Sequence, residues 1–230
     1  MISLESVEYR YGGLIALRDV SLELSTGITY IVGPNAAGKT TLLKIAACIY
    51  RPHKGRVIVN GVDYWSIDKK GRPKIRRKIV YVHEKPILIR GTVIDNIIYP
   101  LIIRGWGRRA AEEEAVKLLY SSGLGDIADR TRGQLSAGQA QILSILRAII
   151  IRPKYLLLDE PTNMLDLENR DKVIDMLKKI TGDTTIVIAT HDLLLPMQLP
   201  GRIIAMRDGR IVGELSPIEY KAMILERLSQ

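Results

Sequence analysis

The segment ITYIVGPNAAGKT, residues 28–40, decides the reading of this chain. Its first five residues form a short apolar run of the kind that becomes a strand buried on both faces. The next eight, GPNAAGKT, fit the pattern G-x-x-x-x-G-K-[ST], and a helix is expected from Thr40 to about Ile49. A strand, a tight loop and a helix in that order suit phosphate binding for a physical reason. Gly33 and Gly38 free the backbone around Pro34, Asn35, Ala36 and Ala37, so that N–H groups close on phosphate oxygens. The helix start adds a favourable dipole. Lys39 is placed to reach β- and γ-phosphates, Thr40 to put its hydroxyl on Mg²⁺, and Thr41 to follow in the same turn.

A second stretch supplies the complementary chemistry. YLLLDEP, residues 155–161, reads as an apolar strand delivering Asp159 and Glu160 at its C-terminal end, where open α/β sheets bind ligands. Asp159 is expected in the Mg²⁺ shell, and Glu160 is expected to polarise an attacking water.

Around these stretches the chain divides by pattern. Residues 20–24 (VSLEL) alternate with period two, and residues 56–64 (RVIVNGVDY) hold an Asn60-Gly61 turn between β-rich arms, so a small antiparallel β subdomain is expected at about 1–27 and 52–66. The apolar runs 78–82 (KIVYV), 155–159 and 185–190 (TIVIAT) read as buried parallel strands of a P-loop NTPase core, about 28–50, 72–85 and 151–215. A helix from Ala110 to about Ser122 precedes another with the apolar stripe Ile142, Ile145, Leu146 and Ile149, stopped by Arg152-Pro153. Residues of about 86–150 therefore read as an inserted helical subdomain. Ser216, Pro217 and Glu219 are the N-cap, first-turn proline and capping-box acid of a final helix, 216–230, which reads as leaving no room for a regulatory domain. The fold class is thus α/β within one 230-residue domain.

Composition sets outer bounds. The single cysteine, Cys48, forbids an internal disulfide and suits a reducing compartment. The first residues lack the basic start and apolar block of a signal peptide, and no apolar run reaches membrane-spanning length, so a membrane role has to come through a partner. The net charge of +9 is uneven: residues 51–110 carry 15 Lys/Arg against 4 Asp/Glu, densest in KKGRPKIRRK, residues 69–78. That run reads as a solvated basic face, as a surface near anionic lipid or a membrane partner, or as a nucleic-acid patch. The absence of interleaved aromatic residues counts against the last, and no specific nucleic acid is expected.

LSAGQ, residues 135–139, opens the second of those helices. Ser136 and Gln139 have the spacing of a capping box, while Ala137-Gly138 are small enough for close backbone approach to an anion. This stretch, together with GPNAAGKT, YLLLDEP, EPTNMLD (160–166) and ATHD (189–192), resembles in order and over nearly the whole chain the ATP-binding subunits of the ABC ATPase family. The resemblance implies ATP and Mg²⁺ as ligands, Tyr11 stacking on adenine, His191 as a switch histidine and Asp166 in the D-loop. It also implies that Ser136, Ala137, Gly138 and Gln139 face the γ-phosphate held by a second nucleotide-binding subunit. The implied activity is ATP hydrolysis in a head-to-tail pair that drives separate transmembrane permease subunits, importer-type favoured, from the cytoplasmic face of the cell membrane. Residues 84–106 are the expected docking region. The alternative is a soluble ABC ATPase, such as one for metal-cluster assembly. Three positions depart from the family pattern: Ala36 and Ala137 replace glycines, and Glu84 replaces the Q-loop glutamine and is expected to add a carboxylate near Mg²⁺.

Overall fold

The structure, a computed structural model, describes residues 1–228; Ser229 and Gln230, the end of the expected last helix, lie outside the described residues. The chain forms two compact units. The first takes in Met1–Tyr81, Lys154–Glu160 and the chain from Thr181 onward; the second takes in Val82–Pro153 and Pro161–Ile180.

The first unit carries both sheets. Strands β1 (Ile2–Tyr11) and β2 (Leu14–Leu24) pair antiparallel; β4 (Lys54–Val59) and β5 (Val62–Asp63) complete a four-stranded sheet in the order β2-β1-β4-β5. Asn60 and Gly61 join β4 to β5 with φ of +51° and +79°, as a two-residue hairpin turn requires. The other sheet has the order β10-β9-β3-β8-β7-β6. Its centre is β3 (Gly27–Val32), flanked in parallel by β8 (Thr185–Thr190) and β9 (Arg202–Arg207), with β7 (Tyr155–Asp159) parallel to β8. β6 (Ile79–Val82) lies beyond β7, and β10 (Arg210–Leu215) closes the far edge antiparallel to β9. Every residue of β7 and β8 is buried, which is why both read as unbroken apolar runs.

Between the sheets sits helix α1 (Lys39–Ala46), and its Leu42, Leu43 and Ile45 join Leu17, Val57, Leu157 and Val187 in one core. The side chain of Tyr155 also ties this unit together: its hydroxyl accepts from the Met1 ammonium at 2.6 Å and donates to Asn60 Oδ1 at 2.7 Å. Short helix α2 (Arg72–Arg76) carries the middle of the basic run, and α7 (Leu195–Gln198) follows β8. Helix α8 (Pro217–Leu228) starts with the expected capping box, Glu219 N–H donating to Ser216 Oγ at 3.2 Å and Ser216 N–H to Glu219 Oε2 at 2.7 Å.

The second unit is helical: α3 (Val93–Ile102), α4 (Arg108–Ser121), α5 (Ala137–Ile149) and α6 (Leu167–Ile180). Thr92 and Asp95 cap α3 reciprocally. Its apolar side buries Val93, Ile97 and Leu101, yet Tyr99, Ile103 and Trp106 remain exposed around Pro100. No helix among the described residues is long and apolar enough to cross a membrane.

Candidate functional site

The loop 33–38 springs from the C-terminal end of central strand β3. Its shape depends on glycine at two positions. Gly38 has φ +98°, and a Cβ there would lie 2.6 Å from the carbonyl oxygen of Ala16. At Gly33, φ +154°, a Cβ would run into the carbonyl oxygen of Met206. Ala36 also has positive φ, +63°, so the alanine that replaces a glycine here does sit in the left-handed region and bears its cost. Ala137 does not; it is the first residue of α5 with ordinary helical backbone, and its Cβ meets no such objection. A further support for the loop comes from the β9–β10 turn, where Gly209 N–H donates to the Ala37 carbonyl at 3.1 Å. Asp208-Gly209 is a hairpin signal in plain view in the sequence, though nothing in it says which loop it would brace.

Lys39 is 7% exposed, and its ammonium donates to the carbonyls of Gly33 at 2.8 Å and Pro34 at 3.0 Å. An ammonium has three N–H donors, so one remains for a phosphate oxygen over the loop. Glu160 Oε1 stands 4.0 Å from the same nitrogen. Glu160 is itself buried, with φ +47°. Its carboxylate is fixed from the other side by His191, whose Nδ1 lies 2.8 Å from Oε1 and whose backbone N–H donates to Oε2 at 3.2 Å. The residues that directly follow β7 and β8 thus present one carboxylate between a cation and an imidazole.

Beside it, Thr40 Oγ1 donates to Asp159 Oδ1 at 3.0 Å. Sequence reasoning missed the second partner: Tyr81, on β6, donates its hydroxyl to Asp159 Oδ2 at 2.7 Å. Tyr81 lies in an ordinary strand pattern, and only the sheet order brings it next to β7.

Tyr11 ends β1, half exposed, with its hydroxyl 3.4 Å from Thr41 Oγ1. Partial burial pushes its phenol above the ordinary range; the bond to Thr41 opposes the shift, and neighbouring Tyr50 adds to it.

The remaining expected residues belong to the second unit. Ser136 accepts from Gln139 N–H at 3.1 Å and donates its own N–H to Gln139 Oε1 at 3.1 Å, the full capping box. Gly138 is buried on the α6 side, where a Cβ would come within 3.5 Å of Leu165 and Asn169 side chains. Asp166 caps α6, both its carboxylate oxygens accepting from Asn169. Glu84 accepts from Asn163 Nδ2 at 3.2 Å, so its carboxylate is engaged by the segment after Glu160.

A parallel sheet whose central strand runs through a glycine-shaped loop into a helix, with an aspartate and a glutamate at the end of a nearby strand, is the architecture of P-loop nucleotide-binding proteins. Residues 17–163 match the ABC transporter family, and the chain belongs to it. Methionine import ATP-binding protein MetN 1 of Oceanobacillus iheyensis is 36% identical over 220 residues, covering 92% of this chain and 65% of that relative's length. The chain thus spans less than two thirds of that import protein. Cell division ATP-binding protein FtsE of Streptococcus pneumoniae is 35% identical over 224 residues, 96% of this chain and 97% of the relative. Among solved structures, a dimeric post-hydrolysis state of the ATP-binding cassette MJ0796 with ADP and Pi superposes with a TM-score of 0.85 at 31% identity, over 94% of this chain and 98% of that one.

Proposed function

We propose that this chain is the ATP-binding and ATP-hydrolysing motor subunit of an importer-type ABC transporter. In this reading it works as a head-to-tail dimer and drives separate membrane subunits from the cytoplasmic face. The observation that carries the proposal is the placement of Glu160 between Lys39 and His191 at the mouth of the phosphate loop. The similarity to an import ATP-binding protein and to a dimeric cassette holding ADP and Pi supports it.

The residues fit the reaction. Loop amides and the free N–H of Lys39 bind the triphosphate, while Tyr11 stacks on the adenine. Mg²⁺ suits the pair of hard oxygens, Thr40 Oγ1 and Asp159 Oδ1, that stand 3.0 Å apart. Mg²⁺ is commonly held by one or two protein oxygens plus substrate phosphates. When bound it neutralises phosphate charge. Tyr81 holds the other Asp159 oxygen and so aims the carboxylate. Glu160 accepts the proton of the attacking water, a role worth about 10²- to 10⁴-fold in rate. His191 orients that carboxylate through both its ring and its backbone N–H. Glu84 joins the metal's surroundings in this reading. Ser136, Ala137, Gly138 and Gln139 serve the triphosphate on the other subunit's loop, with Asp166 fixing the start of α6 beside them.

The apolar α3, with exposed Tyr99 near its end and exposed Ile103 and Trp106 just after it, offers the permease a docking surface. The test is Glu160→Gln. It should bind ATP as the parent does, hydrolyse it about 10²- to 10⁴-fold more slowly, and elute as a dimer on gel filtration with ATP and Mg²⁺. Unchanged turnover removes Glu160 from the mechanism. Membrane fractionation of cells making the native complex checks the transporter role, since a soluble ATPase would stay in the supernatant.

A further inference from the structure

The side chains around Tyr11 form a stack that the sequence does not announce. Tyr9 and Tyr50 lie face to face, with centroids 5.2 Å apart and planes 5° from parallel. Tyr11 sets its ring edge-on to both, at 5.1 Å from Tyr9 and 6.1 Å from Tyr50. His53 packs edge-on to Tyr9 at 5.1 Å. Two hydrogen bonds fasten the segment bearing Tyr50 and His53 to β1. The His53 N–H donates to the Glu8 carbonyl at 2.8 Å, and His53 Nδ1 accepts from Arg10 N–H at 3.3 Å.

Tyr50 is also fastened to α1: its N–H donates to the Lys44 carbonyl at 3.2 Å, and the Lys44 ammonium stands 5.4 Å from its ring centroid. Helix α1 begins with Lys39 and Thr40. The contact between Tyr50 and Tyr11 therefore joins the phosphate end of the site to the base end. Tyr11 needs such a contact. It is 45% exposed at the end of a strand and is followed by Gly12-Gly13, so its ring is held by Tyr9 beside it on β1, by Tyr50 and by the hydroxyl contact with Thr41.

We infer that Tyr50, backed by Tyr9 and His53, is a positioning residue that holds the Tyr11 ring in the orientation that stacks on a purine base. The inference rests on the reading of the chain as an ATP-binding subunit. Tyr50 acts through Tyr11. Its loss should cost affinity for the base and leave the phosphate chemistry alone.

The experiment measures binding of ATP and of inorganic tripolyphosphate, each with Mg²⁺, by calorimetry on the full chain, together with steady-state ATPase kinetics. The proteins are wild type, Tyr50→Ala, Tyr50→Phe, Tyr11→Ala and the double alanine variant. An aromatic pair of this kind accounts for about a 2- to 13-fold change in affinity. Tyr50→Ala should weaken ATP by that factor and raise KM, with kcat at saturating ATP and tripolyphosphate affinity both unchanged. Tyr50→Phe should restore ATP affinity. In the Tyr11→Ala background, Tyr50→Ala should cost nothing further. Equal losses for ATP and tripolyphosphate, or losses that add in the double variant, overturn the inference and leave the ATPase reading standing. Wild type that binds ATP no better than tripolyphosphate removes the base platform altogether. If Tyr50→Ala fails to fold, Tyr50→Leu keeps the apolar volume without the ring, and the same comparisons apply to it.

Discussion

Gly38→Ala is the substitution whose cost the structure lets one work out. Two effects add. An L residue in the left-handed region costs about 1–2 kcal/mol, of which alanine returns about 0.4–1 kcal/mol by restricting the unfolded chain. The new methyl would also lie 2.6 Å from the Ala16 carbonyl oxygen and 3.0 Å from Leu17 Cδ2, so β2 or the loop has to move. Overpacking of that sort costs about 1–3 kcal/mol. The natural control is Gly61→Ala. It too has positive φ, +79°, but its Cβ would meet nothing within 4 Å. The expected losses are about 1 kcal/mol at Gly61 and about 3 kcal/mol at Gly38, or about 3 °C and 9 °C in Tm for a chain of this size. Thermal unfolding followed by far-UV circular dichroism measures both, and calorimetric titration with ATP and Mg²⁺ should show weakened binding in Gly38→Ala alone. If the two variants melt within a degree of each other, or if Gly38→Ala binds ATP like the parent, the close approach of β2 does not shape the phosphate loop.

Lys39→Ala should abolish tight ATP binding, because the charge aimed over the loop is gone; calorimetry at low micromolar protein reads this directly. Glu84→Gln should shift the Mg²⁺ dependence of turnover without changing adenine selectivity, and superimposable Mg²⁺ titrations would place Glu84 outside the metal's surroundings. Mixing inactive Lys39→Ala with inactive Ser136→Arg should recover about a quarter of wild-type activity, since half of freely exchanged two-fold pairs are mixed and each of those has one intact site of two; no recovery, once pull-down of tagged chains proves exchange, counts against a site shared between subunits. Burial pushes the Cys48 thiol from 9.0 up to about 12. The folded chain therefore keeps a proton that the unfolded chain releases above about pH 9, so this residue's contribution to stability falls from there toward pH 12. Iodoacetamide at pH 8.5 should label Cys48 only after denaturation.

The elements legible in the sequence are those whose causes are local. The phosphate loop needs glycine at fixed offsets, the Asn60-Gly61 hairpin needs two residues of positive φ, and the helix starts at Ser136 and Ser216 need a capping pair three residues apart. Each can be seen within eight residues. The partners of those elements were not legible. Tyr81 reaches Asp159 only because the sheet sets β6 beside β7, and Tyr50 meets Tyr9 only because the segment after α1 returns to β1. The Ala36 and Ala137 departures looked alike on paper. One residue lies in the left-handed region and the other in the first turn of a helix, a distinction made by backbone angles that composition does not carry.

Glu160 carries a consequence for anyone who engineers this chain. Its φ of +47° is a conformation that glycine or asparagine would hold at lower cost. Relief of that backbone cost favours a change at this position, while loss of the contacts to buried Lys39 and to His191 opposes it. On the role proposed for Glu160, the chain holds a costly backbone angle where the chemistry needs a carboxylate. Libraries built to toughen the chain should leave codon 160 untouched, and a natural variant with glycine there should be suspected of having given up hydrolysis.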